Sequence, residues 1–287
     1  MNVFVTDDVP SLLRSLAPDE HGFVGFMNDD LNALDLEGMT RLMCHAGLGH
    51  EEDVNTLLHD GADPNCASPG NGWTALMSSH CNGTITKLLI DSSADVDAQD
   101  SAGITPLMMA AAGGGPVRSE PQGPDPASGE GSAITSRDGY VAALKELLKA
   151  GAKTELRVTA SLSTAIMEAA EKGHTQMVAL LAENGAELNS QNRGGATALI
   201  LAVGEGYPDV VQCLIAASAD IDLADEHGTT PLMEAVTSNQ PEILELLLQS
   251  GADVHLREEG GFNAVQIAMM TNNMLLGAKL IQAGATE

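Results

Sequence analysis

A short Thr-led motif returns along the chain at a nearly fixed distance, and no other feature limits the fold so strongly. It reads Thr74-Ala-Leu-Met, Thr105-Pro-Leu-Met, Thr164-Ala-Ile-Met, Thr197-Ala-Leu-Ile and Thr230-Pro-Leu-Met, with weaker copies at Thr40 and Asn263. Positions 164, 197, 230 and 263 are each 33 apart, 40 to 74 is 34, and 74 to 105 is 31. The remaining gap, from 105 to 164, is 59, one period with 26 residues added. A second motif follows each copy: Gly61-Ala-Asp, Ser93-Ala-Asp, Gly151-Ala-Lys, Gly185-Ala-Glu, Ser218-Ala-Asp, Gly251-Ala-Asp and Gly284-Ala-Thr. A period of this length means stacked supersecondary units, none of which can bury its apolar face alone.

Each unit reads as two helices and a turn. The residues after Thr form a short helix of small and apolar side chains. Gly83, Gly173, Gly206 and Asn239 stand about nine residues beyond the Thr as helix stops. A second, more amphipathic helix follows, as in Met177-Val-Ala-Leu-Leu or Ile243-Leu-Glu-Leu-Leu-Leu. It ends at Gly-Ala, where glycine permits a left-handed cap. The linking stretch, such as Asp220 to Gly228, is rich in turn formers and reads as an extended finger loop.

Composition agrees with thin layers. Aromatic residues are only 2% of 287, so Ala, Leu, Met and Val must fill the interior. The hydrophobic share of 44% is too high for a disordered acidic chain. A formal charge of −27 disfavours phosphate backbones and anionic membrane surfaces, so nucleic acid and lipid are not expected partners. No apolar run is long enough to span a bilayer. Asp7 and Asp8 stand where a secretory signal would carry Lys or Arg, so no signal peptide is expected. Cys44, Cys66, Cys81 and Cys213 show no metal-like spacing and read as free thiols of a reducing, cytoplasmic compartment.

With its T-P-L, A-A, G-H, L-L and G-A-D-[VI]-[ND] segments repeated in about seven registers over residues 36–287, the chain resembles the ankyrin repeat family. The resemblance implies an all-α repeat solenoid, a curved stack of helix pairs with β-hairpin fingers projecting at right angles. It also implies a non-catalytic role in protein binding, through fingers and first helices lining a concave face. One departure recurs. Where the family places His after T-P-L, this chain has Met43, Met77, Met108, Met167, Ile200, Met233 and Gln266. The family's polar bridge between neighbouring turns is expected to give way to apolar packing.

Residues 1–35 fall outside the period and read as an N-terminal cap, with a separate binding peptide as the alternative. The Pro-, Gly- and Ser-rich segment near 115–139 reads as a surface loop inserted between the helices of the third unit. Its Ser119, Ser128 and Ser132 give it an alternative reading as a docking or phosphorylation segment. The second unit is two residues short, at the turn around Gly83.

No catalytic constellation stands out, and no enzyme activity, cofactor or metal is expected. His45 and His50 are five apart, which does not put two ligands on one helical face. His174 occupies the structural G-H position. The Gly113 run lacks the Lys of a phosphate loop.

Recognition is left. Position within the repeat nominates Trp73, Arg193, Glu226, His227, Glu259 and Phe262 on the fingers, and Ser78, Met109, Glu168, Glu171, Glu205, Glu234 and Ser238 on the first helices. Trp73 and Phe262 are prominent in so aromatic-poor a chain, either as contact residues or as rings lying over a neighbouring finger. Residues 1–100 hold 17 acids and 3 bases, 101–180 hold 8 and 7, and 181–287 hold 15 and 3. Two acidic arms thus flank a near-neutral centre. A basic protein is the expected partner, bound by an adaptor that is a monomer when free. The alternatives are an inhibitor or immunity-type protein blocking a basic enzyme or toxin, and a structural subunit of a larger assembly.

Overall fold

In a computed structural model the structure describes residues 30–35, 37–79, 82–113 and 137–285. Of the cap expected at 1–35, residues 1–29 lie outside the described residues, as do the inserted segment up to residue 136 and the phosphorylation candidates Ser119, Ser128 and Ser132. Fourteen helices are present among those described, as seven consecutive pairs. They are α1 (Arg41–Leu48), α2 (Glu51–His59), α3 (Ala75–Ser78), α4 (Gly83–Asp91), α5 (Pro106–Ala111), α6 (Arg137–Lys149) and α7 (Ala165–Glu171). They continue as α8 (Thr175–Glu183), α9 (Ala198–Glu205), α10 (Pro208–Ala216), α11 (Pro231–Thr237), α12 (Pro241–Gln249), α13 (Ala264–Met270) and α14 (Met274–Gln282). First helices pack on first helices from α1 to α13, and second helices on second helices from α2 to α12. The result is an all-helical repeat solenoid.

The Thr motif is a helix start in physical terms. Its hydroxyl accepts the backbone N–H three residues on: Met43 to Thr40 at 3.2 Å, Met77 to Thr74 at 3.4 Å, Met108 to Thr105 at 3.2 Å, Ile200 to Thr197 at 3.3 Å and Met233 to Thr230 at 3.3 Å. That satisfies one of the donors a helix N-terminus leaves over. Two units also reach back in the other direction. Gln266 Oε1 accepts from the Asn263 N–H at 3.1 Å, and the Met43 sulfur accepts from the Thr40 N–H at 3.5 Å. These bonds close each cap on itself, within one helix start, and do not reach a neighbouring turn.

Thr164 is the exception. It is buried, yet its hydroxyl caps nothing and has no hydrogen-bond partner. Thr230→Val should lower stability by about 1 kcal/mol, through loss of the cap. Thr164→Val should be neutral or stabilising, because it removes an unsatisfied buried hydroxyl. Urea unfolding of the two variants checks the contrast, and equal losses would refute it.

The second motif is a bridge between units. The residue two places beyond its Asp-like position accepts the backbone N–H of the next unit. Asn65 Oδ1 takes Asp95 N at 2.7 Å, Asp97 Oδ1 takes Lys153 N at 2.8 Å, Glu155 Oε1 takes Glu187 N at 2.9 Å, Asn189 Oδ1 takes Asp220 N at 2.8 Å, and Asp222 Oδ1 takes Asp253 N at 2.9 Å. Asn32 makes the same bond to Asp63 N at 2.8 Å. Residues 30–35, grouped with the N-terminal segment on the sequence, thus take part in the array, and Asp35 N closes on Met39 O at 2.9 Å as a first finger. Glycine supplies the left-handed cap at Gly61, Gly151, Gly185 and Gly251, while Ser93 and Ser218 adopt it with φ of 69° and 72°.

Gly83 departs from the expected helix stop. It is the first residue of α4, after the N-cap Asn82. A Cβ at Gly83 would sit 2.6 Å from the Cβ of Ala142 on α6, so the glycine lets these second helices approach closely. The residues at 137–139, expected in the inserted loop, form the first turn of α6.

Candidate functional site

The fingers are tight turns closed on themselves and linked to one another. Asp100 N bonds Ile104 O at 3.0 Å, Asn192 N bonds Ala196 O at 3.0 Å, Asp225 N bonds Thr229 O at 3.0 Å, and Glu258 N bonds Phe262 O at 3.1 Å. Asp100, Asn192, Asp225 and Glu258 also accept N–H bonds from their own turns through the side chain. Successive tips join by one backbone bond each: Ser101 N to Asn71 O at 2.7 Å, Thr159 N to Ala102 O at 2.8 Å, Arg193 N to Ser161 O at 2.7 Å, Glu226 N to Gly194 O at 3.2 Å and Glu259 N to His227 O at 2.9 Å. Among the described residues the pairing is of turn type, with one isolated β-bridge, Leu34 to Thr40. Side chains at the tips are thereby carried on a backbone with little freedom.

The nominated residues divide by accessibility. Glu205, Glu226, His227, Glu259 and Arg193 are exposed, and Phe262 is 40% exposed. Trp73, Met109, Glu234 and Ser238 are half-buried. Ser78, Glu168 and Glu171 are buried, which corrects their assignment to an open first-helix surface. Ser78 turns its hydroxyl to Thr74 O at 3.3 Å, and Glu171 has Lys172 Nζ at 4.0 Å. The cause lies in the short first helices. Small residues such as Ala169, Ala170 and Ala202 are fully buried, so the helices approach closely and cover positions that a single-helix wheel leaves open.

The exposed set lies on three consecutive fingertips, with Glu205 at the far end of α9. His227 lies between two acids, with Nε2 3.7 Å from Glu226 Oε1 and Nδ1 4.0 Å from Glu259 Oε2. Behind them Glu234 Oε1 accepts the Ser238 hydroxyl at 2.6 Å, and a Cβ at Gly204 would meet this same carboxylate oxygen at 3.2 Å, so Glu234 lies over α9 beside Glu205. The cations nearby are engaged. Arg193 Nη2 holds Thr159 O at 3.2 Å, and Arg257 Nη1 holds Gly261 O at 2.6 Å and Gln266 Oε1 at 3.0 Å.

Two features went unread in the sequence. Leu162 is exposed at a fingertip with φ of 59°, at the position where the other fingers place Gly38, Gly72, Gly103, Gly195, Gly228 and Gly261. A bulky residue in that conformation costs about 1–3 kcal/mol. The signal was available, because a leucine interrupts an otherwise regular series of glycines. The second is the meeting of His45 and His50, whose Nδ1 atoms lie 3.2 Å apart. A spacing of five failed a test that assumed one helix. The two residues belong to different elements, His45 to the last turn of α1 and His50 to the N-cap of α2.

The described cysteines, Cys44, Cys66 and Cys213, form no disulfide. Burial pushes the Cys66 thiol up, with Asp63 and Asp30 adding to it, and burial with Glu183 does the same for Cys213. Neither is a nucleophile of the activated kind. No helix among the described residues is long and apolar enough to cross a membrane.

A family model described as ankyrin repeats (3 copies) matches residues 42–117, 133–225 and 166–258. Among solved structures, the ankyrin repeat domain of human ASB11 is similar at a TM-score of 0.68 and 23% identity, over 87% of this chain and 100% of that one. Helix pairs, Thr caps, linked fingers and these matches agree: the chain belongs to the ankyrin repeat family, whose domains are generally protein–protein interaction modules.

Proposed function

We propose that the chain is a non-catalytic binding module that grips a protein with a basic surface on the side formed by its fingers and first helices. The reading rests on the carboxylates of Glu205, Glu226, Glu234 and Glu259, which stand exposed or half-buried on three consecutive units. The arginines among them are held by backbone carbonyls. A field of one sign along a rigid face steers an oppositely charged partner and sets its orientation. Phe262, on the same finger as Glu259, and Leu162, on the finger preceding that of Arg193, offer exposed apolar surface. Their exposure on tight turns is what a contact residue needs, since little entropy is lost on docking.

Charge reversal tests the reading. The triple variant Glu205→Lys, Glu234→Lys, Glu259→Lys should melt close to the parent, because these groups lie at or near the surface. Immobilised parent chain should capture basic proteins from lysate and release them as salt rises. The variant should bind the same isolated protein at least about tenfold more weakly at low salt, with a flatter salt dependence. Equal affinity and equal salt slope for the two chains would sink the proposal.

A further inference from the structure

The turn between α1 and α2 brings three metal-ligating side chains to one point. Gly49 ends α1 in the left-handed conformation, φ 78° and ψ 22°, and the His50 N–H returns to His45 O at 3.0 Å. The chain reverses within two residues, so His45 on the buried side of α1 faces His50 at the head of α2. His50 occupies the N-cap position but its side chain caps no backbone N–H of α2. Its imidazole is turned toward His45 and Asp53 instead. Nδ1 of His45 lies 3.2 Å from Nδ1 of His50 and 3.3 Å from Oδ2 of Asp53, and His50 Nδ1 lies 3.7 Å from that oxygen.

The circle through these three atoms has a radius of about 2.0 Å, so an ion about 2.1–2.2 Å from each donor stands just out of their plane, as the apex of a tetrahedral site does. Zinc binds imidazole nitrogen and carboxylate oxygen at about 2.0–2.2 Å with near-tetrahedral angles, which puts neighbouring donor atoms about 3.3 Å apart. A proton between the three donors links only one pair at a time. A divalent cation satisfies both nitrogen lone pairs and the carboxylate together. Two neutral nitrogens with one carboxylate suit a borderline cation such as Zn²⁺ over Mg²⁺ or Ca²⁺. His45 is buried while His50 and Asp53 reach solvent at a shallow hollow lined by Gly49, Glu51 and Glu52, from which an ion has access to all three donors. Glu51 and Glu52 add negative charge around the hollow, and Glu51 Oε1 holds Asn82 Nδ2 of the next unit at 3.2 Å.

We propose that His45, His50 and Asp53 form a Zn²⁺ site that clamps α1 to α2. Its ligands come from both helices, so the ion binds the closed pair and not the separated one.

The test uses the full tag-free chain, freed of metal by chelation, with ZnCl₂ as probe. Calorimetry should show one equivalent bound, and the melting temperature should rise on addition of the ion. CoCl₂ should give the visible absorption bands of a tetrahedral centre without the charge-transfer band of a thiolate ligand. His50→Gln and Asp53→Asn lie at the surface and should fold; each should weaken Zn²⁺ binding at least tenfold and abolish the thermal shift. His255→Gln, at a distant finger, should change nothing. Absence of binding at micromolar Zn²⁺ would overturn the proposal. So would undiminished binding in His50→Gln, or a thiolate band with Co²⁺. A melting temperature unmoved by Zn²⁺ in the parent would overturn the clamp.

Discussion

Gly195→Ala should cost the protein about 2–4 kcal/mol, more than any other glycine-to-alanine change in a described finger. Gly195 holds φ of 76°, and a Cβ built there would stand 2.2 Å from the backbone N of Glu226 and 2.8 Å from the carbonyl carbon of Asp225. The obstruction is the backbone of the next finger, which cannot rotate aside as a side chain would. The left-handed conformation alone adds about 1 kcal/mol for a residue with a Cβ. Displacing the neighbouring turn adds about 1–3 kcal/mol. It also stretches the Glu226 N to Gly194 O bond, 3.2 Å in the parent. Gly251→Ala separates the two contributions. Gly251 has φ of 90° but nothing within 4 Å of the added Cβ, so only the conformational part, about 1 kcal/mol, should appear. Urea midpoints at constant slope measure both. Equal losses in the two variants would show that the close approach of the fingers carries no weight.

The second large effect is expected at the methionines that follow the Thr caps. Met43, Met77, Met108, Met167 and Met233 are each no more than 1% exposed, one per unit along the first-helix row. Met233→Ala should lose about 2–5 kcal/mol, the transfer of a large side chain together with the cavity left behind. Met233→Leu should lose less than about 1.5 kcal/mol, since volume is nearly kept. Met270, 68% exposed at the end of α13, is the control, and its alanine variant should be within about 0.5 kcal/mol of the parent. An interior loss in an array need not unfold every unit at once, so calorimetry alongside circular dichroism shows whether the transition stays single. A Met233→Ala loss below about 1 kcal/mol would mean that the neighbouring layers collapse to fill the space.

The period made the architecture legible. Each Thr or Asn of the first motif became an N-cap, and the finger and helix order followed from turn formers and apolar spacing. Sequence spacing does not carry the distances between units, and the departures come from there. Gly83 reads as a stop on its own helix and proves to be a contact point for Ala142, 59 residues away in the chain. Glu168, 0% exposed, reads as a surface acid on a helix wheel because the wheel knows nothing of the helices on either side. Glu226, His227 and Glu259 were legible as finger residues, and their proximity was not, because it depends on the pitch from one tip to the next. The His45 and His50 contact was hidden for a related reason, since a turn, and not a helix face, joins them.

The bridge from Asp97 Oδ1 to Lys153 N has a consequence for chain length. It spans 56 residues where the corresponding bonds span 30, 31 or 32, yet at 2.8 Å it falls within their 2.7–2.9 Å. The array therefore keeps its spatial period across a stretch where the sequence period is broken. The layers on either side of Gly113 and Arg137 are tied directly to each other, so the spacing of the fingertips there is set by that bond and not by the count of residues between them. A segment of another length joined between Gly113 and Arg137 should leave that ruler of fingertips unchanged.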